Sequence, residues 1–239
     1  MIEKICGIVL DITPHSDRHN VVTLYTRSRG RISFLSASGG GRAGRLRNSR
    51  LQPLAVIEAD VNFRQNAELQ KLSSFSLSHV WAGIYFHPMK GMITLFLSEF
   101  LNKLLRASMS DESLFDYIVD SLRFFDSMKE GIADFHVAFL ASLLPFMGIQ
   151  PDSTDWTEGS FFDMRNGTFS TIRPPHNDIL EGEDSRLASV FSMIDFSNIS
   201  AYCSDNATRR ALLSGLLNYY AIHYPGLASL RSLEILRQL

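Results

Sequence analysis

Apolar residues in the first third of the chain come in short runs, each bounded by turn chemistry. Residues 4–12 (K-I-C-G-I-V-L-D-I), 20–26 (N-V-V-T-L-Y-T), 31–36 (R-I-S-F-L-S), 54–61 (L-A-V-I-E-A-D-V) and 68–77 are rich in the β-branched and aromatic side chains that suit a pleated surface. Thr13-Pro14-His15-Ser16-Asp17, Ser28-Arg29-Gly30 and the glycines at 39–41 separate them. No apolar pattern of helical length occurs before residue 80, so crossovers between parallel strands are not expected.

From residue 80 the period changes. Ile93, Phe96, Leu97, Phe100, Leu101 and Leu104 recur at three- and four-residue spacing after Pro88, opposite Glu99, Asn102, Lys103 and Arg106, which predicts an amphipathic helix. A second follows the capping pair Ser110-Asp111 through Phe115, Ile118, Val119, Leu122 and Phe125. A third carries Phe135, Ala138, Phe139, Leu143 and Phe146 and ends near Gly148, with Pro151 beyond. Residues 152–184 are poor in aliphatics, and Asn166-Gly167 between short apolar runs predicts a small hairpin. Helical spacing resumes over Leu187–Ile194, again from an Asp205-Asn206 cap through Tyr220, and in the tail at Leu230, Leu233 and Leu236. The expected class is α+β. A five-stranded, antiparallel, partly closed barrel of OB type occupies 1–79, and an all-helical domain with a hairpin and loop module at 152–184 occupies 80–239.

Charge changes this picture. The net charge of −2 is a cancellation: residues 1–79 carry 11 Lys/Arg against 6 Asp/Glu, and residues 80–239 carry 12 against 19. The excess is concentrated in eight arginines between residues 18 and 57, a stretch with no Asp, Glu or Lys. Arg27, Arg29, Arg31, Arg42, Arg45, Arg47 and Arg50 are therefore the candidate polyanion contacts, because guanidinium forks match phosphate oxygens and an OB barrel exposes one face to nucleic acid. A solvated basic loop is the alternative. Tyr25 and Phe34 lie close by as stacking candidates, though each suits the barrel core equally well.

Other chemistry is excluded or weak. Gly39-Gly40-Gly41-Arg42-Ala43-Gly44 matches G-x-G-x-x-G, with Asp60 downstream, but Arg45–Gln52 holds only Leu46 and Leu51 as apolar residues and cannot form the long helix a dinucleotide site needs. A phosphate loop fails too, since Arg45-Leu46 stands where Lys and Ser/Thr are required. Cys6 and Cys203 are too few for a disulfide framework or a zinc pair, and His15 and His19 sit in a turn-rich loop. Neither H-E-x-x-H nor G-x-S-x-G occurs, and Glu99 reads as a solvated or capping charge. No catalytic residue, cofactor or metal is expected. The N-terminal apolar run ends at Asp11, too short for a signal peptide, and Met92–Leu105 is interrupted by polar residues, so a soluble intracellular protein is expected. Two other classes stay open: an enzyme taking nucleotide at Gly39–Gly44, and an interaction scaffold whose basic face docks on an acidic protein.

The order of elements across the chain resembles one family. G-I-V-L near the start, V-V-T-L-Y-T, the Gly/Arg-rich loop, L-Q-P-L, L-S-E-F-L-N-K-L-L, the pattern Phe139-x3-Leu143-Leu144-x3-Gly148-x2-Pro151 and the closing H-Y-P-G-L-A-S-L-R-S-L-E-I-L together resemble RecO, a bacterial recombination mediator family. The resemblance implies binding of single- and double-stranded DNA, annealing of complementary strands coated by single-strand binding protein, and cooperation with RecR to load RecA. It also implies a cytoplasmic, nucleoid-associated protein that is not an enzyme. It implies a pocket for the tail of single-strand binding protein in the helical domain, with Arg106 and Arg123 as candidates. Many members carry a four-cysteine zinc module after the G-x2-P element; here residues 155–159 and the Asn166-Gly167 hairpin have no cysteine, so packing must hold the hairpin.

Overall fold

The computed structural model describes residues 2–38, 41, 44, 46, 48–64 and 67–236. Two compact units emerge, one of residues 1–128 with the stretch from Leu230, the other of residues 129–229. In the first, β1 (Ile2–Ser16) lies antiparallel between β2 (His19–Thr26) and β4 (Val56–Asn62), and β3 (Gly30–Ala37) continues outward from β2. β5 (Gln70–Leu72) pairs parallel with β3, in place of the antiparallel pairing expected, because the chain reaches β5 from β4 across the barrel and not through a hairpin from β3; β6 (Ser76–Leu77) is antiparallel to β4, giving the order β5-β3-β2-β1-β4-β6. Because β5 also lies against β4, the sheet curls on itself into an OB-type half-barrel within an α+β fold. The run 68–77, expected as one strand, is two: the chain must cross from the edge of β3 to that of β4, and Ser73 and Ser74 span the crossing.

Ile5, Val9, Val22, Leu24, Phe34, Ile57, Val61 and Leu72 fill the barrel. From Gly7 to Leu10, β1 is buried on successive residues, so both its faces are covered. The chain leaves the sheet through Trp81, whose indole N–H donates to the Leu54 carbonyl at 3.0 Å, and enters α1 (Ala82–Phe86), α2 (Pro88–Leu104) and α3 (Glu112–Ser127). α2 packs on the outer side of β1. Leu10 is skipped in the ladder between Val9 and Asp11, and its carbonyl accepts the Ser98 hydroxyl at 2.7 Å. Asp111 caps α3 by accepting from the Leu114 amide at 3.0 Å, as its sequence position predicts. α1 has no periodicity of its own; it is held because Asp126 accepts from the Ile84 amide at 2.8 Å. The buried Lys90 ammonium closes the end of α3 on the Asp126 and Met128 carbonyls, at 2.9 and 2.7 Å. Thus residue 80 marks the change from strand to helix, while packing joins these first helices to the barrel.

In the second unit, α4 (Phe135–Leu143) is buried all round and packs on the long C-terminal helix Asn206–His223, where Tyr220 donates to the Leu140 carbonyl at 2.9 Å. The hairpin expected at Asn166-Gly167 is present as β7 (Phe161–Asp163) and β8 (Thr168–Ser170), and β9 (Ile179–Leu180) adds a third strand with no sequence signature. Asp163 ties the turn, accepting from the Arg165 and Asn166 amides at 2.9 and 3.2 Å and from the Asn166 side chain at 2.8 Å. Gly167 has φ +67°, and a Cβ there would stand 2.6 Å from the Tyr219 hydroxyl, which itself donates to the Ile149 carbonyl. Beneath lie Phe162 and Phe169, 4.7 Å apart. The helix expected over Leu187–Ile194 instead spans α5 (Gly182–Ala188), whose acidic first turn at Glu183 and Asp184 favours that earlier start; residues 189–193 are turns. α6 (Ile199–Tyr202) and α7 (Asn206–His223) complete the unit, the latter capped by Asp205 on the Thr208 amide at 2.7 Å.

The stretch that returns to the first unit ends in α8 (Leu233–Leu236) and is fastened by Glu99. Its carboxylate accepts from the Arg231 and Ser232 amides at 3.1 and 2.8 Å and the Ser232 hydroxyl at 2.6 Å, with Lys103 at 3.1 Å. Burial alone would raise the Glu99 pKa, but the Ser232 bonds, the Arg231 amide and Lys103 outweigh it and bring it to about 2. A folded value below the unfolded one stabilises fully above the unfolded pKa and less as pH falls toward 2. Glu99→Gln is expected to cost about 1–3 kcal/mol at neutral pH. The gap from wild type should narrow as pH falls below 4.5 and close near pH 2, read from denaturant midpoints across pH.

Candidate nucleic-acid interface

Antiparallel pairing separates the arginines that are neighbours in sequence. β2 runs eight residues from one end of the barrel to the other, roughly 25 Å. Arg27 and Arg29 stand at the β2–β3 turn, whereas β3 returns the chain to the opposite end before residues 38–55. There Ser38 donates its amide to the Arg18 carbonyl at 2.8 Å and accepts the Asn48 side chain at 2.7 Å, which fastens the neck of the glycine-rich loop beside the β1–β2 turn. Arg18 and Arg50 are exposed at that end and make no ion pair among the described residues. Arg42, Arg45 and Arg47, like Gly39, Gly40 and Ala43 of the glycine motif, lie outside the described residues.

At the turn the arginines are engaged. Arg27 lies 2.9 Å from Asp116 and 3.2 Å from Glu112, successive positions on one face of α3. Arg29 forks onto Glu3, with Nε 2.9 Å and Nη2 2.6 Å from one carboxylate oxygen, and lies 4.3 Å over the Phe63 ring. Hydrogen bonding to Arg29 holds the Glu3 carboxyl below its ordinary pKa. Arg31 donates to the Asn102 side chain at 3.0 Å; burial and then the positive charge of Arg106 lower its pKa. The local absence of acid read from the sequence therefore does not persist in space at this turn: Glu3, Glu112 and Asp116 arrive from other elements. Tyr25 and Phe34 are fully buried and offer no stacking face.

What the turn and β3 do form is an open groove of about 730 Å³, in which Arg29, Arg31 and Arg64 outnumber the single lining acid, Glu68, around Phe63 and Gln70. Its far wall is the β4–β5 loop, braced by Gln70, whose side chain accepts from the Arg64 amide at 2.9 Å and donates to the Arg64 and Ala67 carbonyls at 3.0 and 3.1 Å. Arg64 is exposed and makes no ion pair among the described residues; Lys71, exposed on β5 opposite Leu35, continues the cationic edge toward Arg18 and Arg50. Phe63 is half-buried, its ring also edge-on to Phe34. Phe63, Arg64 and Lys71 were not singled out in the sequence, because only the curl of the sheet brings the β4–β5 loop against β3.

The chain matches the family described as Recombination protein O N terminal over residues 1–81 and that described as Recombination protein O C terminal over 89–234. It is 30% identical to the DNA repair protein RecO of Phocaeicola vulgatus over 239 residues, covering 100% of this chain and 99% of that protein. Identity to the DNA repair protein RecO of Porphyromonas gingivalis strain W83 is 32%, covering 98% and 97%. The chain belongs to the RecO family. In OB barrels generally, oligonucleotides lie on the face of strands 2 and 3 and the loop between strands 4 and 5; in this chain residues of β3 and of that loop line the groove. The zinc module carried by many RecO proteins has no counterpart in the donors present: residues 152–184 lack cysteine, and His176 bonds instead to Asp163 at 3.3 Å. Those residues do not fit a zinc site, and the described residues hold no group of three metal-ligating side chains. No described helix is long and apolar enough to cross a membrane. Arg106 is exposed near Arg31, and Arg123 is paired with Asp120 at 2.9 Å.

The turn's aim depends on Gly30, which has φ +66° and a Cβ position 2.8 Å from the backbone of Ser108, Met109 and Ser110. Gly30→Ala is expected to destabilise the protein by about 1–3 kcal/mol, measured by denaturant unfolding.

Proposed function

We propose that this RecO protein, whose role lies in DNA repair and recombination, is a non-enzymatic DNA binder that carries single strands along the β3 groove and anneals them. The observation that carries the reading is the groove itself, where Arg29, Arg31 and Arg64 surround the half-buried Phe63 on an OB barrel. Cations there follow a sugar–phosphate backbone, and an aromatic face accepts a base of any identity. The exposed Lys71, Arg18 and Arg50 extend the path to the other end of the barrel, and Arg42, Arg45 and Arg47, neighbours of Arg50 in sequence, are proposed to add contacts to the same strand or to a second one. Annealing then follows from charge: two polyanions approach once both are screened on one cationic flank. Double-stranded DNA would bind through the same phosphates with less use of Phe63.

RecR, the tail of single-strand binding protein and, indirectly, RecA are the expected protein partners, by way of the family. Such a protein would work in the cytoplasm at the nucleoid.

The test is titration of fluorescent oligonucleotides at several salt concentrations. Phe63→Ala should weaken single-strand binding about tenfold, in keeping with ~1–3 kcal/mol per stacked base, and affect duplex less. Arg42, Arg45, Arg47 and Arg50 changed together to Ala should flatten the log–log salt slope by about 3. An unchanged slope together with full affinity in Phe63→Ala would overturn the reading. Absence of any DNA binding near physiological salt would favour docking on an acidic protein, and saturable NAD or ATP binding would favour an enzyme.

A further inference from the structure

Resting on the groove reading above, we propose that Glu3 is an internal stand-in for DNA phosphate, and that Glu112 and Asp116 play the same part for Arg27. The turn arginines would then exchange partners when nucleic acid arrives. The geometry at Glu3 is that of an oxyanion cradle. The Arg29 fork reaches both carboxylate oxygens, Nε at 3.0 and 2.9 Å and Nη2 at 2.6 Å, and the Ser28 hydroxyl donates to one of them at 3.4 Å. Two phosphate oxygens can occupy the same positions, because the planar guanidinium serves carboxylate and phosphate with one bidentate arrangement.

The cradle is placed for such an exchange. Arg29 lines the groove and lies over one face of Phe63, so a phosphate seated on it would lie within the groove beside that ring. Its ion pair is partly open to solvent, the Arg29 and Glu3 side chains being 47% and 27% exposed, and pairs at the surface contribute little to folding. The Arg27 pairs with Glu112 and Asp116 are more exposed still on the acidic side. Their effect is on net charge: while the carboxylates stay in place, the turn presents no net positive field despite its two arginines. A solitary anion gains nothing by displacing them, whereas a polyanion already held by Arg64 and Lys71 brings its next phosphate at high effective concentration. The acidic residues thereby favour an extended strand over short or scattered anions.

The experiment compares single-strand affinity and salt dependence of wild type, Glu3→Gln, the double change Glu112→Gln with Asp116→Asn, and Glu3→Gln combined with Arg29→Ala, with unfolding midpoints showing that each is folded. Freeing one arginine should raise affinity about fivefold at ~50 mM salt and steepen the salt slope by about 0.7. The double change should do the same through Arg27, independently of Glu3, and Arg29→Ala should abolish the gain of Glu3→Gln. Wild-type binding with neither acidic variant improved, or a gain that survives Arg29→Ala, would overturn the inference while leaving the groove reading intact. No binding by wild type or by any variant would overturn both.

Discussion

The middle of β1 has to be buried on both faces. One side of Gly7–Leu10 meets the barrel interior and the other is covered by α2, so the strand cannot behave as the edge or outer wall of a flat sheet. The Leu10 bulge makes this possible, since it bends the strand and hands the carbonyl lost from the ladder to Ser98. Gly7 is tight for the same reason: a Cβ there would sit 3.3 Å from Leu24 and Thr26 side-chain atoms. From that curvature follow the return of β5 to β3, the position of the β4–β5 loop and the groove between them.

The same antiparallel geometry decides the electrostatics. A strand pair folds neighbouring sequence to opposite ends, so a run of arginines becomes two groups a barrel-length apart. At one end, acids from β1 and α3 meet the arginines; at the other, Arg18 and Arg50 stay exposed and unpaired among the described residues. Arg64 and Lys71 join the two groups along the β3–β5 side. Positive charge on this surface is therefore a property of the folded register, and its strength at the turn is set by carboxylates far away in sequence.

In the second unit a small module is held together by its own side chains. Asp163 gathers the hairpin turn and His176, and Phe162 and Phe169 stack beneath it against Tyr219, 5.3 Å from Phe162. Polar satisfaction and aromatic packing hold the three short strands together. Deeper in, the near-buried Arg209–Asp134 pair at 3.0 Å ties α7 to the start of α4.

Elements with a strong local cause were legible in the sequence. Pro88 and the Phe96, Phe100 and Leu104 stripe set α2, Asp111 and Asp205 set the starts of α3 and α7, and Asn166-Gly167 set the hairpin, because caps, turns and periodicity act within a few residues. The alternation of short apolar runs with turn residues was enough for an OB-type barrel. Elements without such a cause were decided by packing: α1, whose five residues hang on Asp126; β9, which exists only as a partner for β7; and the split of 68–77, forced by barrel closure. So was the site. The sequence by itself established an arginine-rich barrel, since composition is local. Which arginines face Glu3, Glu112 and Asp116, and which stand with Phe63 and Arg64 over a groove, depended on long-range register, because charges act through distance in space and the chain alone does not specify it.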